Sequence, residues 1–210
     1  MTPPAHFALS EILILIISVY SIKTFLGHKL NYATIGVLIL GATAFLATLR
    51  FGLVMHSELK SIHQLFTTLS LLLGVPLIVI EIIKKSKLVN ENIILFSVLV
   101  LAIGSIYIFF QAKNLIIVIS LLWLIIGIIF SFLIPREKKI FKFISVFVFS
   151  IILFNFIIRQ AQVFDPILSW HFYHVMIAIW LYLITIMLTK KIAIYVSVSY
   201  THLRAHETRG

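Results

Sequence analysis

The stretch Leu115-Ile-Ile-Val-Ile-Ser-Leu-Leu-Trp-Leu-Ile-Ile-Gly-Ile-Ile-Phe-Ser-Phe-Leu-Ile134 carries no charged residue, and Pro135-Arg-Glu-Lys-Lys139 follows it at once. About 20 consecutive apolar residues is the length of an α-helix that crosses a bilayer core. Asn114 stands before the run, where it can cap a helix. Pro135 stands just past its end, where proline stops one.

Working outward from this run, the same pattern recurs. Spans are expected at about 5–27, 32–55, 62–83, 92–111, 115–134, 140–158 and 167–189. Ser61-Ile-His-Gln64 reads as a capping box at the start of the third span. Asp165-Pro166 reads as an acidic N-cap with proline at the first helical position of the seventh. Pro76 falls inside the third span and should kink it. The fold class is therefore all-α, a polytopic membrane bundle of seven helices with antiparallel neighbours. Residues 1–195 form one transmembrane domain, with no internal repeat and no second domain.

Composition agrees. Of 210 residues, 61% are hydrophobic and 11% charged, too few polar groups to coat a soluble globule. The net charge of +10 would suggest nucleic acid in a soluble protein. Here the basic residues sit in the short breaks between apolar runs, so they orient the chain in the bilayer instead. No cysteine is present, which excludes disulfides and thiolate chemistry. No cleavable signal peptide is expected at the N-terminus, which lacks a basic region. The last stretch, residues 196–210, is polar and aperiodic. From Ser197 to Thr208 it resembles translated sequencing-adapter read-through, which would make His202 and His206 non-functional.

Lys23, Lys29, Lys84, Lys85, Lys87, Arg136, Lys138, Lys139, Lys142, Lys190 and Lys191 fall on one side of the membrane. Arg50, Lys60, Lys113 and Arg159 fall on the other. The positive-inside rule makes the first set cytoplasmic, so the N-terminus is expected outside and the C-terminus inside. The expected location is a bacterial cytoplasmic (inner) membrane, and the Ile-, Phe- and Lys-rich usage suits an AT-rich bacterium.

On that topology His6, Glu11, Arg50, His56, Glu58, His63, Asp165, His171 and His174 all gather in the outer half. Polar residues at membrane depth usually face a bundle interior or a water-filled cavity. Glu11 and Arg50 each lie roughly 8–9 Å below the outer boundary by helical rise. Adjacent helices would let them form a structural ion pair that fixes packing, or line a substrate cavity. His171 and His174 share a helical face. With His56 and His63 they make a candidate metal site, since three imidazoles and one open position are the pattern of catalytic zinc. Glu58 or Asp165 would then orient a ligand or serve as general base. The plain alternative is that these histidines are interfacial or solvated, with Trp170, Tyr173 and Trp180 forming an aromatic belt or core. Haem ligation by histidines, the lesser cofactor alternative, needs matched depth across helices. Glu81 is expected to pair with Lys84 or Lys85, Asn155 to make an interhelical hydrogen bond, and Gly36 and Gly41 to let helices approach.

Two resemblances are carried by particular residues. Leu49-Arg-Phe-Gly52, His63-Gln-Leu-Phe66 and Gly74-Val-Pro-Leu77 resemble small bacterial membrane proteins of unknown function. Gly52-Leu-Val-Met-His56, with His171 and His174, resembles the alkaline ceramidase-like superfamily of seven-helix zinc hydrolases. That resemblance implies zinc ligands at His56, His171 and His174. The sequence departs from the superfamily pattern in having no serine after Gly52, Thr67 near the expected aspartate, and a final histidine pair spaced three apart rather than four. The functional expectation is an integral membrane protein, and more sharply a metal-dependent lipid or amide hydrolase at the outer leaflet. The alternative is a non-enzymatic packing or partner subunit that binds another membrane protein. The lipid bilayer is a partner in either case, and nucleic acid in neither.

Overall fold

The computed structural model describes residues 4–134, 139–161 and 163–189. Pro135, Arg136, Lys138, Lys190, Lys191 and the read-through-like tail lie outside the described residues. The helices are α1 (Ala8–Gly27), α2 (Asn31–Gly52), α3 (Lys60–Leu69), α4 (Val75–Ser86), α5 (Glu91–Gln111), α6 (Ile116–Leu133), α7 (Lys139–Gln160) and α8 (Pro166–Leu188). A short 3-10 turn, Ala5–Phe7, precedes α1, and a π-helical turn, Ser70–Gly74, joins α3 to α4. Seven spans are long and apolar enough to cross a membrane, with α3, the π-turn and α4 forming the third, Lys60–Ser86. The chain is a multi-pass all-helical membrane protein, and no strand occurs among the described residues.

Six elements close a ring. α2 packs on α1, α1 on α8, α8 on α7, α7 on α6, α6 on α4, and α4 returns to α2. α5 lies outside it, held by α4 and the π-turn, with Phe96, Ile103, Tyr107 and Phe110 facing outward. Lipid is as apolar as these side chains, so packing and interhelical hydrogen bonds hold the bundle together rather than escape from water. Small residues set the closest approaches. A Cβ on Gly36 would stand 2.5 Å from the backbone oxygen of Gly74, and one on Gly41 would meet Ser18 at 3.0 Å. Both glycines thus act as expected. Asn155 also behaves as expected, its Nδ2 donating to the Tyr173 carbonyl at 2.9 Å and tying α7 to α8.

Helix ends are only partly those of the sequence reading. Asp165 caps α8, its Oδ1 accepting from the backbone N–H of Ile167 and Leu168. The Ser61–Gln64 capping box does not form, because α3 starts one residue earlier at Lys60 and has no side-chain cap. Asn114 does not cap either, since it falls inside a 3-10 turn, Lys113–Leu115, that leads into α6. Glu81 faces the charges of Lys84 and Lys85 and also has a second role. It is buried, and its Oε2 accepts from the N–H of Tyr32 at 3.0 Å and of Ala33 at 3.4 Å. These are the second and third N–H groups of α2, whose own N-cap, Leu30, has no side-chain oxygen to offer. α4 therefore caps α2 from across the interface. Lys84 also approaches Glu91 at 4.0 Å and the Tyr32 ring at 5.6 Å.

Pro76 produces no abrupt break. One π-helical turn precedes it, a common way of absorbing the backbone conflict. Neighbouring hydroxyls satisfy the carbonyls around this turn: Ser105 of α5 donates to Leu72 O at 3.0 Å, and the Thr43 hydroxyl of α2 lies 3.0 Å from Phe66 O.

A polar cavity at one end of the bundle

The two ends of the bundle differ in chemistry. At one end α1 begins, α2 finishes and α8 begins, and this is the histidine end. The other end carries Lys29, Lys84, Lys85 and Lys87 and is the lysine end. A cavity of about 790 Å³ opens from the histidine end into the ring. α3 packs chiefly on α2 and the π-turn, while α4, continuing the same span, packs on both α2 and α6, which leaves the space open beside α3. The deep walls are apolar, among them Ile14, Leu40, Val75, Leu124 and Ile152, and its charged groups are Glu11, Arg50, Lys113 and Arg159.

Arg50 sits in the last turn of α2 and Arg159 in the last turn of α7, where helix C-termini favour cations. Arg50 Nη1 donates to His63 Nδ1 at 3.0 Å, and its Nε donates to the His56 carbonyl at 3.3 Å. Its guanidinium lies 5.2 Å from the centre of the Phe51 ring. Arg159 lies over Trp170 at 5.6 Å and Tyr173 at 5.5 Å, and donates to Ser169 Oγ at 3.3 Å. Phe51 meets Trp170 edge to face at 5.2 Å, so the two guanidiniums bracket one aromatic pair. Among the described residues no carboxylate lies within 4.0 Å of either arginine.

The expected Glu11–Arg50 ion pair is therefore corrected. Glu11 turns to α8 instead, its Oε1 lying 3.1 Å from His174 Nε2. α1 packs on α8 as well as on α2, and the rotation of α1 about its axis, invisible in the sequence, selects the partner. Glu11 is 3% exposed and belongs to the cavity wall.

The four histidines do not gather as a metal site. Among the described residues no three His, Asp or Glu side chains are placed to hold a metal ion together. His171 and His174 do share a face, the one toward α1, but each is engaged separately. His171 Nδ1 lies 3.2 Å from Ser10 Oγ, and its ring stacks on His6 at 5.3 Å. His174 Nδ1 lies 2.7 Å from Trp170 O. His63 is held through Nδ1 by Arg50. His56 lies in the loop beyond α2, beside Phe51, with Nδ1 buried and unpartnered. A zinc centre that needs three of these side chains together does not fit the geometry of the described residues.

The two candidate acids also stand apart from the cavity wall. Asp165 is occupied as the α8 cap. Glu58 is exposed in the loop before α3, where hydrogen bonds from its own backbone N–H and from the Ser57 hydroxyl hold its carboxyl below the usual range. It stays an ionised surface group. Sequence reasoning missed Arg159, Trp170 and Tyr173 as site residues. The available signal was symmetry: Arg159 ends its span toward the same face as Arg50, with aromatics one short loop away. Trp170 stacks on Phe7 at 4.7 Å and on His174 at 4.3 Å. The indole N–H groups of Trp170 and Trp180, both on the cavity wall, are buried without a hydrogen-bond partner among the described residues.

Chemically, this is a pocket of donors at the mouth and hydrocarbon within. No protein family, curated protein or solved structure matches the chain, so the site's own geometry carries its reading.

Proposed function

We propose that the protein binds a single-chain anionic amphiphile in this cavity, with its head group between Arg50 and Arg159 and its chain among the apolar walls. One observation carries the reading. Two guanidiniums without acidic partners face a cavity whose interior is hydrocarbon. An uncompensated cation is costly at membrane depth and is stabilised by a bound anion. Hydrogen bonds to His63 and Ser169 orient the arginines but do not neutralise them. The Trp170 indole N–H, without a partner among the described residues and packed under Arg159, asks for an acceptor-rich ligand in the same place. A volume of about 790 Å³ is within the usual range for one small ligand.

In this reading the chain is a binding or carrier protein of a bacterial cytoplasmic membrane, with the histidine end outward by the positive-inside rule and the cavity opening toward the outer leaflet. It takes the place of the metal-dependent hydrolase, whose histidines stand apart, and it requires no partner subunit beyond the bilayer.

The test uses the chain in nanodiscs of zwitterionic lipid, titrated calorimetrically with dodecanesulfonate and with dodecanol, and with empty discs as blank. The sulfonate should bind saturably at about one per chain and the alcohol much more weakly. Arg50→Gln and Arg159→Gln should each weaken sulfonate binding about tenfold or more, since a charged hydrogen bond contributes roughly 1.5–3 kcal/mol. Equal uptake of sulfonate and alcohol, or variants that bind like the wild type, would sink the proposal.

A further inference from the structure

The Glu11–His174 contact fixes a proton count. Trp170 O can only accept, so His174 Nδ1, at 2.7 Å from it, carries a hydrogen. The other ring nitrogen, Nε2, lies 3.1 Å from Glu11 Oε1. A hydrogen bond there needs one proton between two atoms that each hold a lone pair without it. The proton sits on nitrogen, giving imidazolium and carboxylate, or on oxygen, giving neutral acid and neutral imidazole. The pair is uncharged in both forms. A second proton makes it +1, with both groups protonated.

His63 cannot play this part. Arg50 is always charged and donates to His63 Nδ1, so that ring is held neutral with its hydrogen on Nε2. His171 Nδ1 faces Ser10 Oγ, which itself donates to Phe7 O at 3.2 Å, so His171 donates to Ser10 and shares no proton with an acid. Of the histidines on the described helices at this end, only His174 faces a carboxylate.

The groups around the pair are cationic. Arg50 of α2, Arg159 of α7 and Lys113 at the start of α6 line the same cavity as Glu11 and His174, together with His63 of α3 and Tyr173 of α8. His171 of α8 and His6 of the first turn stack beside it. Two arginines repel a second proton, and an anion bound between them cancels that repulsion.

We propose that the chain binds its anionic ligand together with one proton, taken up from solvent by the Glu11–His174 pair. The inference rests on the binding reading above and extends it to a coupled site. Uptake converts the singly protonated pair to the doubly protonated one, with no bond broken except that between the proton and its solvent carrier.

The experiment is the dodecanesulfonate titration repeated at one near-neutral pH in two buffers of different ionisation enthalpy, which counts protons per ligand bound. The sulfonate itself does not titrate there. Wild type should take up about one proton per sulfonate, and its affinity should rise about tenfold per unit fall in pH within the linked window. The Glu11→Gln/His174→Gln double variant, which leaves no group of the pair to titrate, should bind the sulfonate without proton uptake, and Glu11→Gln/His174→Asn gives the same readout should the first variant fail to fold. His171→Gln, outside the cavity lining, should keep both binding and coupling. Binding in the wild type without proton uptake, or uptake that persists when both Glu11 and His174 are replaced, overturns the coupling and leaves the binding reading standing. Failure of the sulfonate to bind the wild type overturns both.

Discussion

α3 and α4 belong to one transmembrane span and have opposite surroundings. No residue of α3 is buried, whereas nine residues of α4, from Val75 to Ser86, are. α4 carries Ile78, Val79 and Ile82 into the main core, against residues of α1, α2, α6, α7 and α8. α3 presents His63, Gln64, Thr67 and Thr68 to the cavity. The contrast teaches that, within one span, the half toward the lysine end packs the main core and the half toward the histidine end lines the cavity. Packing and cavity are separated along a single helix.

That separation can be attacked residue by residue. The largest effect is expected at the junction. Gly36→Val would drive a side chain into the Gly74 carbonyl, a backbone atom that cannot swing aside, and should cost about 3 kcal/mol. Thermal unfolding in a mild detergent reads this directly; an unchanged midpoint would mean that α2 and the π-turn are not in close contact. Ile78→Ala, in α4, should cost nearly as much, about 2–3 kcal/mol, because the site is enclosed on all sides. Next comes Glu81→Ala, which strips two backbone donors of α2 of their acceptor and should cost about 2 kcal/mol, with Glu81→Gln recovering much of it. If Glu81→Ala proves neutral, the cap across the interface is wrong.

A smaller effect of opposite sign is expected in the loop before α3. Val54 has φ of 59°, a left-handed backbone that disfavours a β-branched side chain, and its side chain is exposed. Val54→Gly should therefore raise stability by about 1 kcal/mol. The smallest effect belongs to α3 itself. Leu65→Ala should cost less than about 1 kcal/mol of stability, since the side chain is partly exposed beside the cavity. A loss as large as that of Ile78→Ala would erase the distinction between the two halves.

The spans were legible because hydrocarbon thickness dictates run length, and their ends came within a few residues of those seen. The clustering of Glu11, Arg50, His63 and His174 near one end was legible too, because depth follows from residue number along a helix. Pairing was not. Glu11 bonds His174 rather than Arg50, and Arg50 bonds His63, because partner choice depends on each helix's rotation and on ring order. The sequence states neither. The i, i+3 spacing put His171 and His174 on one face correctly, yet a shared face does not aim two rings at one point. The cap that Glu81 gives α2 was illegible for a related reason: nearby lysines are visible in the sequence, while the uncapped N-terminus of a neighbouring helix is not.

The π-turn at Ser70–Gly74 makes the division between the two halves depend on a single residue. A π-turn accommodates one residue more than the α-helix it interrupts, and one residue turns a helix by about 100°. Deleting one residue from 70–74 would straighten the span and swing His63, Gln64 and Thr67 a quarter-turn or more away from the arginines, while leaving α4 seated. The hydrophobic length of the span would barely change, so the chain would still insert. A three-nucleotide deletion could thus leave the scaffold standing and retire the site, and the matching insertion is a route by which a plain membrane helix could acquire one.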